Sequence, residues 1–309
     1  TVDLRTGRLR EADPMDHITM TTSIGPQSVS TPLWSAFLNQ ATGGDESLMH
    51  FLQQIAGYCL TGNTQEHALF FIYGPGGNGK GVLVNTLMLI LGDYAMAAPM
   101  STFTASRFDQ HPTDLADLAG ARMVTASETE EGRAWAESRI KQMTGGDPIK
   151  ARFMRQDFFQ YQPEFKLVFL GNHKPVIRNV DNAARRRFNI IPFTHVPEKP
   201  DFHLEQKLKR EHGGILQWAI DGCLDWQKNG LVRPEIVKQA TEQYFSDQDL
   251  FTQFLDEMTE KKSHNFGERT TALFKVWTAY AEAAGEKPGT RPSFRERMRA
   301  AGYVFADHL

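Results

Sequence analysis

The chain has 309 residues, 40% of them hydrophobic and 23% charged, with a net charge of −3. That length holds one large domain with one or two small ones, and the composition is ordinary for a soluble protein. No apolar run approaches the about 20 residues that cross a bilayer, no signal peptide is visible, and the charge total announces no nucleic-acid partner.

Residues 1–30 are polar, and Asp3 to Arg10 read as a short hairpin about Thr6-Gly7. The chain starts at Thr1 rather than Met, which predicts a processed protein or a piece of a longer one. From Pro32 to His67 apolar residues recur at helix spacing: Leu33, Trp34, Phe37 and Leu38, then Leu48, Phe51, Leu52, Ile55 and Cys59. Cys59 and Cys223 each sit inside such a pattern and read as core residues rather than ligands or a disulfide, in keeping with a reducing cytosol. Ala68 to Tyr73 is a short apolar run that fits a buried strand, and after a glycine loop a helix runs to Gly92. Arg122 to Ser127 predicts a second strand, Trp135 to Gly146 a helix, and Pro148 to Tyr161 a hairpin turning at Arg155 to Asp157. Phe165 to Leu170 and Phe188 to Phe193 predict a third and a fourth strand, and such alternation means an α/β core with a mainly parallel sheet. Beyond Pro200 the pattern turns helical. The last 40 residues read as two helices and a strand at Gly302 to Phe305, an order that suits a winged helix or a small helical cap.

The chemistry begins with Gly74, Pro75, Gly76, Gly77, Asn78, Gly79 and Lys80, followed by Gly81 and Val82. Glycines after a strand let backbone N–H groups wrap phosphates, the following helix adds its positive end, and Lys80 would face the β- and γ-phosphates. A second strand must end in an acid that holds magnesium or orients water. Glu128 stands there, with Glu130 and Glu131 as alternatives. A third strand ends in Gly171-Asn172, where an amide can position the attacking water. Arg185-Arg186-Arg187 before the next strand is a transition-state arginine, a backbone-phosphate patch, or a surface run. In the hairpin, Lys150, Arg152 and Arg155 alternate with Phe153, Phe158, Phe159 and Tyr161. Alternation puts most of these aromatics on a buried face and leaves the basic side chains for phosphates.

Five segments occur in order: GPGGNGK, the Ala-Ser127-Glu128-Thr-Glu stretch, Ile140 to Arg152, Gly171 to Pro175, and Arg186 to Phe193. Over roughly residues 30–260 the chain resembles the superfamily 3 helicase domain of phage and plasmid primase-helicases, the group related to the poxvirus primase-helicase. The resemblance implies an AAA+-like P-loop ATPase core with a parallel sheet and a basic hairpin. An N-terminal helical segment would precede it, and a C-terminal mainly helical or winged-helix region would follow. The corresponding divisions are an N-terminal linker at 1–30, a helical collar at 31–67, the ATPase core at 68–200, a helical lid at 201–232 and the C-terminal region at 233–309. It implies ATP and Mg2+ as cofactors, with Gly79 and Lys80 on the phosphates and Glu128 as the acid that holds the metal. Asn172 would be the sensor, and Arg186 or Arg187 a finger acting on a neighbouring subunit. It also implies a homo-oligomeric ring, commonly a hexamer, on single-stranded DNA gripped by Lys150, Arg152 and Arg155, a primase domain or primase in the same system, and the cytoplasm of a bacterial host.

One position departs from the pattern. Gly81 stands where Ser or Thr would ligate magnesium. A water can take that place, since magnesium keeps several waters, and the loss costs on the order of 1 kcal/mol, so a working site is expected. The alternative is an ATP-binding DNA loader or origin-recognition module with little turnover. A small-molecule kinase would need neither the three arginines nor the basic hairpin.

Overall fold

The computed structural model describes residues 1–105, 113–128, 132–177, 181–260 and 267–305. They form two compact units, Thr1–Phe245 and Ser246–Leu309. The first unit opens with a two-residue ladder, β1 (Val2–Asp3) against β2 (Arg8–Leu9), which is the expected hairpin about Gly7. Then follow α1 (Pro32–Ala41), α2 (Glu46–Cys59), β3 (Leu69–Tyr73), α3 (Lys80–Leu91), β4 (Ala95–Ala97), α4 (Thr113–Ala116) and β5 (Met123–Glu128). After them come α5 (Glu137–Gly145), β6 (Ile149–Ala151), β7 (Phe159–Tyr161), β8 (Lys166–Gly171), α6 (Asn182–Arg187), β9 (Phe188–Pro192), α7 (Leu204–Leu208), α8 (His212–Asn229) and α9 (Glu235–Gln248).

Five strands make one parallel sheet in the order β4-β5-β8-β3-β9. Strands buried on both faces need apolar residues at every position, and β3 reads Leu-Phe-Phe-Ile-Tyr for that reason. Successive side chains divide between two cores. Phe70 and Ile72 pack with α1, α2, α3 and α8, whereas Leu69 and Phe71 pack with residues of α5, α6 and α9. The sheet is therefore covered on both faces by helices. β4 is a short fifth strand whose three residues, Ala-Met-Ala, carry too little apolar signal to be seen in the sequence.

Some elements differ from expectation. Trp135 precedes α5 rather than starting it, because its N–H donates to the Val176 carbonyl and the next N–H to Phe103. Lys166, read as part of an apolar run, is a buried ammonium that donates to the carbonyls of Thr61 and Glu164 and so ties the end of α2 to the start of β8. Burial pushes its pKa down to about 8. Cys59 and Cys223 are buried and free, with both thiols pushed up to about 11 by burial.

The second unit holds α10 (Leu250–Met258), α11 (Thr270–Ala283) and α12 (Arg291–Ala300) around Phe251, Phe254, Trp277, Phe294 and Met298. The strand expected at Gly302 to Phe305 does not form. Instead Gly302 takes φ 85° and the Tyr303 N–H caps the Met298 carbonyl, so the residues after α12 close the helix as a turn. Among the described residues no helix is long and apolar enough to cross a membrane.

α2 and α8 cross backbone to backbone. A Cβ at Gly57 would lie 2.0 Å from the Cys223 nitrogen, and one at Gly222 would lie 2.1 Å from the Gln53 carbonyl oxygen. Overpacking of a fixed core costs about 1–3 kcal/mol, and a clash with backbone belongs at the upper end. Gly57→Ala is therefore expected to lower the free energy of urea unfolding of the chain by about 3 kcal/mol, where an ordinary helical Gly→Ala would raise it.

Candidate functional site

Parallel pairing sets the site. Glu128, the last residue of β5, is opposite Gly171 of β8, Gly171 is opposite Tyr73 of β3, and Tyr73 is opposite Pro192 of β9. One row across the C-terminal edge thus carries Glu128, then Gly171 followed by Asn172, then Tyr73 followed by the glycine loop. Strands lie about 4.8 Å apart, so the backbone of Glu128 is about 10 Å from that of Tyr73, with the Asn172 strand between them. Glu130 and Glu131, the alternatives to Glu128, lie outside the described residues.

The loop from Gly74 to Gly79 joins β3 to α3 and is shaped by close approaches. A Cβ on Gly74 would stand 1.9 Å from the Phe193 carbonyl oxygen. Gly79 holds φ 89° with Phe37 behind it, 2.7 Å from where a Cβ would sit. Asn78, buried to 3% exposure, donates from Nδ2 to the Phe193 carbonyl and so pins the loop to the end of β9. Pro75, Gly76 and Gly77 form the exposed outer part of the loop. At Gly81 the nearest atom to an added Cβ is Asn85 Nδ2, 4.0 Å away, so a serine side chain has room there. Val82 is half-buried one residue further into α3.

Lys80, the first residue of α3, is the hub. Its ammonium donates to the carbonyls of Gly74 (2.6 Å) and Pro75 (2.8 Å), to Asn78 Oδ1 (3.1 Å) and to Asn172 Oδ1 (3.1 Å). The side chain is 8% exposed, and desolvation lowers its pKa from the ordinary lysine value. An ammonium held among four oxygens at a helix N-terminus, with backbone N–H groups around it, is suited to an anion that outcompetes those carbonyls. Asn172 is exposed beyond this contact.

The arginines stand at the opposite edge. α6 runs directly into β9, and Phe188 pairs with Leu69, the first residue of β3. About 13 Å of strand separates that row from the loop, so one chain does not bring Arg185, Arg186 and Arg187 to its own Lys80. Two of the three are tied down. Arg185 pairs with Glu242 at 2.7 Å and lies over Phe245, and Arg187 donates to Thr144 Oγ1 (3.2 Å) and the Ala183 carbonyl (2.9 Å). The Arg186 side chain is exposed and, among the described residues, its hydrogen bond runs from Nε to the Asn182 carbonyl of its own helix (3.2 Å).

The hairpin pairs over three positions, and Arg155 takes φ 61° in its turn. The expectation of a buried aromatic face holds only along the paired strands, where Phe159 and Tyr161 are half-buried and the Tyr161 hydroxyl donates to the Leu115 carbonyl. Phe153 and Phe158 are 39% and 50% exposed, because three ladder pairs give the tip no helix or sheet to pack on. Phe153 stacks on Phe159 at 5.6 Å, and Lys150 Nζ and the Arg152 guanidinium each lie 4.7 Å from the Phe158 ring centre. Cation and ring therefore present one surface. Sequence spacing supplies no signal for Thr144 and Lys141, whose side chains hold α6 through Arg187 and Asp181.

A cavity of about 870 Å³ lies elsewhere, beneath the N-terminal segment and lined by residues such as Ile18, Tyr94 and Ile220. Arg122, in its lining, is committed to the Leu60 carbonyl and the Tyr94 ring.

The fold and site define an α/β protein with a lysine-bearing glycine loop at the C-terminal edge of a parallel sheet. Residues 72–187 match a family of unknown function, DUF5906, and residues 1–43 match the family described as D5 N terminal like. The chain is similar to "Putative helicase L207/L206" of Acanthamoeba polyphaga mimivirus, 26% identical over 82% of this chain and 29% of that protein. It is likewise similar to "Putative helicase 022R" of Frog virus 3, 27% identical over 70% of this chain and 25% of that protein. The chain thus spans under a third of the length of these relatives. Among solved structures, the C-terminal region of NrS-1 shares the fold, with a TM-score of 0.54 at 16% identity over 76% of this chain and 58% of that one.

Asn78→Ala removes the link between loop and β9. It is expected to lower stability by about 1–3 kcal/mol in urea unfolding, and an unchanged midpoint would mean the loop holds its shape without that link.

Proposed function

We propose that this chain is the ATP-hydrolysing helicase portion of a longer replication protein of the primase-helicase kind, working on single-stranded DNA as a homo-oligomeric ring. The observation that carries the reading is the division of polar groups between the two sheet edges. Lys80, Asn172 and the strand end at Glu128 gather at one edge, and the exposed Arg186 stands at the other. A site split in this way within one chain is completed by a second copy.

The glycine loop with Lys80 would hold the β- and γ-phosphates of ATP, with backbone N–H groups and the α3 N-terminus adding positive potential. Mg2+, when bound, neutralises charge on the phosphates. Glu128 would lie toward it, and Asn172, already hydrogen-bonded to Lys80, would orient the attacking water. Arg186 of the adjacent copy would stabilise charge developing on the transferred phosphoryl group, while Arg185 and Arg187 anchor its helix. On the hairpin, Lys150, Arg152 and Arg155 would meet DNA phosphates, and the exposed Phe153 and Phe158 rings suit stacking under bases. The similarity to viral proteins named as helicases supports this reading, as does the resemblance to superfamily 3 domains.

The second reading is a nucleotide-binding DNA loader with little turnover, and Gly81 is the observation that favours it. Room for a hydroxyl at that position makes the two separable.

Lys80→Ala and Arg186→Ala are each expected to lower ATP hydrolysis by about 10²-fold or more. Mixing the two variants is expected to restore part of the rate, since some sites then combine an intact loop with an intact arginine. No recovery on mixing would refute the shared site. Gly81→Ser is expected to lower the magnesium concentration for half-maximal hydrolysis by about fivefold, the equivalent of about 1 kcal/mol. A rate that is negligible in the parent chain and appears only with Gly81→Ser would identify the loader.

A further inference from the structure

The helix that bears the arginines is strapped at both ends to one neighbour. At its start, Asp181 caps α6 by accepting the Ala184 N–H (2.7 Å) and is ion-paired to Lys141 of α5. At its end, Arg187 Nε donates to Thr144 Oγ1, near the end of α5. Thr144 is 4% exposed, and its own carbonyl accepts from His67 Nδ1 (2.9 Å), two residues before β3. α5 in turn continues into the hairpin. Gly146, with φ 80°, turns the chain toward β6, and Gln142 Nε2 closes that turn by donating to the Pro148 carbonyl (3.0 Å). Ile140 and Met143 of α5, Ile149 of β6 and Ala184 of α6 share one buried cluster.

Hairpin, α5 and α6 are therefore joined by packing and by named polar contacts, and the chain of contacts ends one residue from Arg186. We propose that α5 couples the hairpin to this exposed arginine, with Thr144 and Lys141 as its positioning residues. Nucleic acid bound at Lys150 and Arg152 displaces the hairpin, α5 moves with it, and the two straps carry α6, which sets where Arg186 meets the next copy's loop. Contiguous side-chain networks with two arrangements carry coupling of this kind. The inference rests on the helicase reading above and assigns the route by which DNA regulates that site.

The test is ATP hydrolysis with and without a single-stranded oligonucleotide in the parent chain and in Thr144→Val, Thr144→Ser, Lys141→Met and Arg152→Ala. Valine keeps the shape of threonine and removes the acceptor for Arg187. Thr144→Val and Lys141→Met are each expected to cut the ratio of DNA-stimulated to basal rate by about threefold or more. The KM for ATP should stay within about twofold, since neither side chain touches the loop. Thr144→Ser is expected to restore the ratio. The Lys141 side chain is 29% exposed, so Lys141→Met carries the test should Thr144→Val fail to fold. Parental ratios in Thr144→Val and Lys141→Met beside a reduced ratio in Arg152→Ala would overturn the coupling and leave the helicase reading standing. A serine variant as impaired as the valine variant would overturn the role of the hydroxyl. Hydrolysis in the parent chain that ignores DNA would overturn the helicase reading and the coupling with it.

Discussion

Parallel pairing of β3 with β8 on one side and β9 on the other is the constraint on which the rest depends. Parallel strands end on the same side, so every loop that follows a strand gathers at one edge, and every segment that leads into a strand gathers at the other. The glycine loop, Asn172 and Glu128 belong to the first group, and α6 with its arginines belongs to the second. No side-chain detail is needed for that division. It follows from chain direction alone.

Within that frame the loop keeps its shape through backbone contacts rather than bulk. Gly74 sits against the end of β9, Gly79 against Phe37 of α1, and Asn78 holds the Phe193 carbonyl. α1 is itself held from a distance: the buried Glu211 carboxylate accepts the N–H groups of Leu33 (3.0 Å) and Trp34 (2.9 Å) at its first turn. A carboxylate there satisfies free helix donors and complements the helix dipole. The N-terminal helices are thus part of the loop's support, and the wall behind Gly79 depends on a residue more than 130 positions later in the chain.

Much of the fold was legible because its signals are local. The strand at β3, the loop, the helix stop at Gly92, the hairpin turn and the buried cysteines follow from apolar runs and glycine positions. What was not legible depends on partners far along the chain. Lys166 is charged yet buried because the carbonyls of Thr61 and Glu164 receive it, and no pattern in its own segment says so. Trp135 fits helix spacing but is claimed by the Val176 carbonyl. Phe153 and Phe158 look like core residues by alternation and are exposed, because burial needs a facing layer that a three-pair ladder lacks. At the site, the motif residues were visible as a list. That Arg185 and Arg187 are held by Glu242 and Thr144, while the Arg186 side chain contacts its own helix, is set by partners elsewhere in the chain.

The glycine crossing of α2 and α8 bears on how the first unit can change shape. Helices separated by a layer of side chains slide past one another in small steps as rotamers readjust, the shear mode of domain motion. Gly57 and Gly222 remove that layer, and peptide groups sit directly on peptide groups. Such a contact offers no graded series of intermediate positions. α2 and α8 must then travel as one block, and any opening or closing of this unit has to bend elsewhere, in the connections that enter and leave the pair.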